Sequence, residues 1–187
     1  MTVLILNAGL SGSDGNSHVV AQHCATYLAQ QGVTSAVLVL RDHAPQDVEQ
    51  AIARAERLVF VTGTYWGGFS SLLQRLFEEL TRAEGTSLWL GKPVAAMITA
   101  HQVGGQTVLF RLQGIASSLG CLIPPMSGVV ITKVAEQLRA RAPELCADVW
   151  GLADIATALQ NLLAAPSPTG QFDAWPVDHE HYADRWL

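Results

Sequence analysis

The chain has 187 residues, of which 49% are hydrophobic and 14% charged, so it is long enough for one domain with a large core and is neither disordered nor fibrous. A net charge of -5 with only 11 Lys and Arg residues argues against binding to nucleic acid or to an anionic membrane. The first apolar run is too short for a signal peptide or a membrane span. Three cysteines without a CxxC pair (Cys24, Cys121 and Cys146) are typical of reduced thiols. We therefore expect a soluble cytoplasmic protein.

Five short, almost continuous apolar runs predict β-strands, because strands buried on both faces of a parallel sheet show no polar alternation. The runs are Val3–Asn7, Ser35–Leu40, Arg57–Gly63, Lys92–Ala100 and Ser127–Thr132. The helices predicted between and after them are Ser17–Gln31, Pro45–Glu56, Ser70–Arg82, Gly105–Leu119 and Val149–Leu163, with a further helical region, interrupted near Pro143, at Lys133–Asp148. Alternating strands and helices predict a three-layer α/β domain with helices on both faces of a parallel sheet.

The last segment of the chain breaks this alternation with prolines and aromatic residues. We therefore predict one domain over residues 1–165 and a tail over residues 166–187 that packs on the domain or on a neighbouring subunit. The aromatic residues of this tail are Phe172, Trp175, Tyr182 and Trp186. His179 and His181 are spaced to meet a metal ion on an extended segment, but no third ligand is apparent, so solvated histidines are favoured and no metal is expected.

The segment after the first predicted strand, Gly9–Ser17, is rich in glycine and in hydrogen-bond donors and leads into a helix. The side chains of this segment that can donate hydrogen bonds are those of Ser11, Ser13, Asn16 and Ser17. A loop of this kind at a helix N-terminus suits an anion such as phosphate. It matches neither the dinucleotide fingerprint nor the P-loop. The alternative is a flexible loop that ends in an N-cap residue such as Asn16 or Ser17.

Two further loops follow the third and fourth predicted strands. Tyr65 and Trp66, followed by two glycines, come after the third strand, where an aromatic shelf would suit a flat heterocycle. The alternative for these two aromatics is packing in the core. Polar residues and the pair Gly104–Gly105 come after the fourth strand. Because ligands of open α/β sheets bind outside the carboxyl ends of the strands, the three loops predict one shared site.

Three segments together, NAGLSGSDGNS, TGTYWGGFSSLLQRLFEEL and TAHQVGGQTVLFRL, resemble the flavodoxin-like NAD(P)H-dependent FMN reductases and quinone reductases. The resemblance covers about Thr2–Leu163, and its most specific part is the Thr-Tyr-Trp-Gly segment. It implies a flavodoxin-like three-layer sandwich with strand order 2-1-3-4-5. The sequence departs from the family pattern at Gly63, where many members have proline, and in the first loop, which lacks the arginine found in some members.

The resemblance also implies a set of FMN-binding residues. Those expected at the phosphate are Ser11, Ser13, Asn16 and Ser17, those lining the ring are Thr64, Tyr65, Trp66 and Gly67, and those at its pyrimidine edge are His101, Gln102, Gly104 and Gly105. FMN would perform the redox chemistry, so no catalytic side chain is assigned. His101 is a candidate for stabilising the reduced flavin or guiding a quinone.

The activity implied by the resemblance is electron transfer from NADPH or NADH through bound FMN to a small acceptor such as a quinone or free flavin, in a homodimer or homotetramer. The alternative is a flavodoxin-type electron carrier, although such carriers tend to be more acidic than a chain with a net charge of -5. A phosphoacceptor receiver domain would need acidic residues where Asn7–Gly9 stand. A low-molecular-weight tyrosine phosphatase would need a nucleophilic cysteine earlier than Cys24, and a hydrolase would need a G-x-S-x-G elbow.

Overall fold

The computed structural model describes residues 1–146, 148–166, 172–181 and 184. Its five strands are β1 (Thr2–Asn7), β2 (Thr34–Val39), β3 (Arg57–Gly63), β4 (Val94–Ala100) and β5 (Gly128–Thr132). Its α-helices are α1 (Asn16–Gln30), α2 (Pro45–Arg54), α3 (Ser71–Glu79), α4 (Gly105–Ser118), α5 (Lys133–Arg139) and α6 (Ile155–Ala164).

The five strands form one parallel sheet in the order β2-β1-β3-β4-β5. This is the order that the resemblance implied, and it confirms the predicted flavodoxin-like fold. The strand order reverses between β1 and β3, so the loops that follow β1, β3 and β4 emerge side by side at the carboxyl edge of the sheet.

Successive residues of the strands point to opposite faces of the sheet and build two core layers. Leu4 and Phe60 lie in the layer that contains buried residues of α2, α3 and α4. Ile5 and Met97 lie in the other layer, with buried residues of α1 and α6. Burial on both faces explains why the strands read as continuous apolar runs.

Two helix boundaries near the end of the domain bear on the predictions. The interruption predicted near Pro143 within Lys133–Asp148 is confirmed, because α5 ends at Arg139 and a 3-10 turn follows at Pro143–Cys146. The helix predicted from Val149 begins only at Ile155. Gly151 has an extended backbone there, and its N–H donates to the Asp154 carboxylate over 2.8 Å.

The described part of the tail contacts the loop between α3 and β4. Trp175 Nε1 donates to a carboxylate oxygen of Glu84 over 3.0 Å, and a ring nitrogen of His179 lies 2.9 Å from the carbonyl oxygen of Arg82. Tyr182 and Trp186 lie outside the described residues. Among the helices of the described residues, none has the length and apolar character needed to cross a membrane. These residues also contain no group of three or more His, Cys, Asp or Glu side chains placed to hold a metal ion.

Candidate functional site

The loop after β1, residues 9–15 and here called loop 1, is held by the buried side chain of Asn7. Its Nδ2 donates to the carbonyl oxygen of Gly12 over 3.1 Å, and its Oδ1 accepts from the N–H of Gly9 over 3.0 Å. Asn7 has no exposed surface, so both of its amide atoms serve to fix the path of the loop. Asn7 stands where a receiver domain would need an acidic residue, and here it shapes loop 1 instead.

Helix α1 begins directly behind loop 1 with Gly15 as its N-cap and no side chain capping its first amides. The alternative N-caps, Asn16 and Ser17, lie inside the helix. Backbone N–H groups at an uncapped helix start are the donors that bind phosphate, and the helix dipole adds a positive field there. The local structure thus suits an anion better than a loop closed by its own cap.

The four residues predicted at the phosphate have different surroundings. Ser11, Ser13 and Asn16 are exposed around the loop. Ser17 is buried, and its Oγ lies 3.3 Å from Oγ1 of Thr99, near the end of β4. The hydroxyl of Ser17 therefore links α1 to the end of β4, a role that the sequence pattern did not indicate.

The loop after β3, residues 64–69 and here called loop 2, forms a tight turn. Main-chain hydrogen bonds run in both directions between Tyr65 and Gly68, over 2.8 and 2.9 Å. The two residues between them, Trp66 and Gly67, have left-handed φ angles of 49° and 79°. Trp66 is fully exposed at the tip, so core packing is wrong as the explanation for this aromatic.

Tyr65 turns back towards loop 1. Its phenol oxygen accepts a hydrogen bond from the N–H of Leu10 over 3.1 Å. A Cβ atom on Gly63 would lie only 2.9 to 3.0 Å from the phenol, so this position of the Tyr65 ring requires glycine at residue 63. The departure from the family's proline is thereby explained: Gly63 makes room for Tyr65 over the first loop.

The loop after β4, residues 101–104 and here called loop 3, lies next to Thr64. The N–H of Thr64 donates to the carbonyl oxygen of Thr99 over 2.8 Å. Gly104, with a φ of 86°, stands so close that a Cβ there would lie 3.5 Å from Cγ2 of Thr64. A Cβ on Gly105 would overlap the side chain of Val130, whereas His101 and Gln102 are exposed.

The hydroxyl of Thr64 lacks a partner. Among the described residues, the buried side-chain atoms without a hydrogen bond are Tyr27 Oη, Arg57 Nη1, Thr64 Oγ1, Trp89 Nε1 and Ser127 Oγ. Thr64 is the member of this set that follows a strand at the carboxyl edge. A buried hydroxyl without a partner is rare enough to need an explanation, and a bound polar ligand between loops 2 and 3 supplies one.

Two arginines complete the surroundings of these loops. Arg41, from the 3-10 turn after β2, donates from Nη1 to the carbonyl oxygen of Leu10 over 3.0 Å. Arg111, from α4, places its guanidinium carbon 5.3 Å from the ring centroid of Phe69. Neither arginine has a role predicted from the sequence, because neither belongs to a glycine-rich loop and only the fold brings them near loops 1 and 2.

The carboxyl edge also contains an open cleft of about 580 Å³ beside loop 3. It is lined by loop 3 residues from Gln102 onwards, by the first residues of α4 and by Asp148–Trp150. A cleft of this size with polar and aromatic walls is in the range of small-molecule sites.

A family model described as NADPH-dependent FMN reductase matches residues 1–136. The chain belongs to this family. The match contains β1 to β5, loops 1 to 3 and the first residues of α5, so every FMN-binding residue proposed from the sequence lies within it. No curated protein matches the chain.

Solved structures show the same fold as this family member. RosB, in a structure with the bound intermediate 8-demethyl-8-formylriboflavin-5'-phosphate, has a TM-score of 0.74 at 15% identity, with 100% of this chain and 95% of that chain covered. The apo form of an NADH:FMN oxidoreductase, EmoB, has a TM-score of 0.69 at 14% identity and covers 89% and 90%. A flavodoxin mutant from Pseudomonas aeruginosa has a TM-score of 0.59 at 25% identity and covers 86% and 99%.

The residues of this FMN reductase family member fit its cofactor. The uncapped start of α1 offers amides to a phosphate, and the unpartnered Thr64 hydroxyl offers a hydrogen bond where the sequence predicts the ring. The cysteines stand apart from this chemistry: Cys24, Cys121 and Cys146 are buried and free. Burial raises the pKa of Cys24 and of Cys121 to about 12, so both remain neutral thiols at physiological pH.

Proposed function

We propose that this protein transfers electrons from NADPH or NADH through bound FMN to a small acceptor such as a quinone or free flavin. The observation that carries the proposal is the meeting of loop 1, the exposed Trp66 and the unpartnered Thr64 hydroxyl at adjacent strand ends of a chain in this family. Bound FMN would accept a hydride from the nicotinamide and pass electrons on.

The residues of the chain would bind and orient the cofactor. The first amides of α1, with Ser11, Ser13 and Asn16, would hold the phosphate. Thr64 would donate its hydroxyl proton to a polar atom of the flavin, which would satisfy the group that is now buried without a partner. These contacts hold the ring in place without transferring a proton.

Loops 2 and 3 would define the space above the ring. Trp66 projects fully into solvent, so its indole is free to cover a flat acceptor or the flavin itself. His101 and Gln102 are exposed on the opposite loop and are available to the pyrimidine edge. Donors at that edge would stabilise negative charge on the reduced ring. The open cleft beside loop 3 leaves a path for a small acceptor.

The test is the visible spectrum of the purified protein with FMN, recorded before and after anaerobic addition of NADPH and then of NADH. A spectrum of bound flavin that bleaches with either nucleotide, and that recovers on addition of a quinone, is the expected result. Bound flavin that neither nucleotide reduces would instead favour a flavodoxin-type carrier. The absence of any spectral change with FMN would contradict the cofactor proposal.

A homodimer or homotetramer in the cytoplasm is part of the proposal. Exposed apolar side chains near the β5 edge support self-association, among them Phe110 and Met126, which are 62% and 79% exposed. The three free, buried cysteines support a reducing compartment. Light scattering of the FMN-loaded protein measures the subunit number, and a monomer at micromolar concentration would contradict the oligomer.

A further inference from the structure

We propose that Arg41 is the residue that makes loop 1 selective for the phosphorylated flavin, FMN, over riboflavin. The inference rests on the FMN-binding function proposed above and assigns a role to a residue outside the three loops. It concerns the β2 side of loop 1, where the 3-10 turn Leu40–Asp42 approaches the loop.

The side chain of Arg41 lies directly against the backbone of loop 1. Its Nη1 donates to the carbonyl oxygen of Leu10 over 3.0 Å. Its aliphatic stem lies on Gly12, which is buried and has a left-handed φ of 61°. A Cβ atom on Gly12 would come within 2.5 Å of Cδ of Arg41, so the glycine admits the arginine to this position. Two contacts therefore hold the guanidinium at the loop.

Most of the donors of this guanidinium remain available. Arginine has five N–H donors, of which the carbonyl oxygen of Leu10 takes one. The Asp42 carboxylate lies 3.8 Å from Nε, but both side chains are at least half exposed, so this ion pair is weak. A phosphate on loop 1 would find a planar, permanently charged group with free donors beside it.

The side chains of loop 1 carry no positive charge of their own for an anion. The loop contains no Lys or Arg, and its own charged side chain is the carboxylate of exposed Asp14. A phosphate monoester carries almost two negative charges at neutral pH, so Asp14 and Asp42 would both repel it. Arg41 offsets part of this repulsion, which the neutral serine and asparagine side chains do not.

The experiment compares the dissociation constants of FMN and riboflavin, measured by quenching of flavin fluorescence at low ionic strength. Arg41→Ala is expected to weaken FMN about tenfold, because a charge-assisted hydrogen bond is lost, and to leave riboflavin unchanged. Added salt should weaken FMN binding to the wild-type protein more steeply than to the variant. The salt dependence is a readout of charge that does not require riboflavin to bind tightly.

Two variants serve as controls. Arg54→Ala removes the same charge from the last turn of α2, far from loop 1, and should leave FMN binding unchanged. Asp14→Asn removes a repulsive charge and should tighten FMN about twofold. Circular dichroism of Arg41→Ala should match that of the wild-type protein, because the arginine side chain is half exposed.

The outcomes separate the inference from the function on which it rests. Equal FMN affinity in Arg41→Ala and Arg54→Ala would overturn the role of Arg41 while FMN binding itself stood. An equal loss of FMN and riboflavin would show that Arg41 only supports the loop through Leu10, and would overturn the role as well. A wild-type protein that fails to bind FMN would overturn both proposals.

Discussion

At the amino edge of the sheet the cations Arg57 and Lys92 are buried and donate to main-chain carbonyls, whereas at the carboxyl edge Arg41 and Trp66 reach solvent. Nε and Nη2 of Arg57 donate to the carbonyl oxygens of Leu162 and Ala165 over 3.0 and 2.7 Å, which fixes the end of α6. Nζ of Lys92 donates to the carbonyl oxygen of Ile52 over 2.5 Å. Burial lowers the pKa of both side chains, more than neighbouring charges raise it.

The difference separates residues that stabilise the fold from residues available to a ligand. The amino edge uses its cations to close the ends of α2 and α6. Arg57 Nη1 lacks a hydrogen bond there, but it lies 3.8 Å from the carboxylate of Glu56. The carboxyl edge contains a tryptophan with a left-handed φ angle and a buried neutral hydroxyl without a partner, both of which reduce the stability of the folded chain. Such features persist at functional sites because a ligand compensates for them. Substitutions at the amino edge should therefore change stability, and those at the carboxyl edge should change flavin affinity.

The largest effect is expected for Arg57→Ala. This change leaves carbonyl groups at the end of α6 without their donor and is expected to lower the free energy of unfolding by about 3 kcal/mol. Urea denaturation measures the loss. The control, Arg54→Ala, removes an exposed arginine nearby in the sequence and should change the free energy of unfolding by less than about 0.5 kcal/mol. A loss of similar size in both variants would break the distinction between buried and exposed cations.

Trp66→Ala should leave the stability nearly unchanged, because the indole is fully exposed, but weaken FMN about tenfold. Trp66→Gly should show the same loss of FMN affinity. Its free energy of unfolding should be higher than that of the wild type by roughly 0.5–1 kcal/mol, because glycine tolerates the left-handed φ. Fluorescence titration and thermal unfolding measure the two quantities. If FMN binds both variants as tightly as the wild type, the indole does not cover the flavin.

Thr64→Val replaces the hydroxyl by a methyl group of similar size. Since the hydroxyl has no partner among the described residues, the ligand-free protein should be as stable as the wild type or slightly more stable. The affinity for FMN should fall about fivefold if the hydroxyl bonds to the flavin. Thr64→Ser keeps the hydroxyl and is the matched control. A similar FMN affinity in the valine and serine variants would exclude this hydrogen bond.

The last prediction concerns the buried thiols, which take no part in flavin binding. Because burial raises the pKa of Cys24 and Cys121 to about 12, the folded protein should react with a disulfide reagent at pH 8 far more slowly than the protein in denaturant. An unfolded thiol ionises near pH 9, so these two groups stabilise the fold below that pH, and the contribution is lost as the pH rises to about 12. Rapid labelling of the native protein would contradict their burial.

The strands were predictable because each is a run of apolar residues buried on both faces, as β3 shows. The order of the strands followed from the family resemblance and agrees with the structure. The position of the three loops at one edge was predictable, since parallel strands end together. All the FMN-binding assignments stay predictions of the sequence: Ser11, Ser13, Asn16 and Ser17 at the phosphate, Thr64, Tyr65, Trp66 and Gly67 at the ring, and His101, Gln102, Gly104 and Gly105 at the ring edge.

The sequence by itself determined the alternation of strands and helices and the glycine-rich loops, because these depend on neighbours along the chain. The tertiary structure alone decided that Tyr65 accepts a hydrogen bond from Leu10, that Ser17 is buried against Thr99 and that Arg41 donates to the carbonyl oxygen of Leu10. Those contacts join residues that are 55, 82 and 31 positions apart in the three hydrogen bonds. No local pattern encodes such pairs, because their energy depends on how β1 to β4 place their ends beside one another.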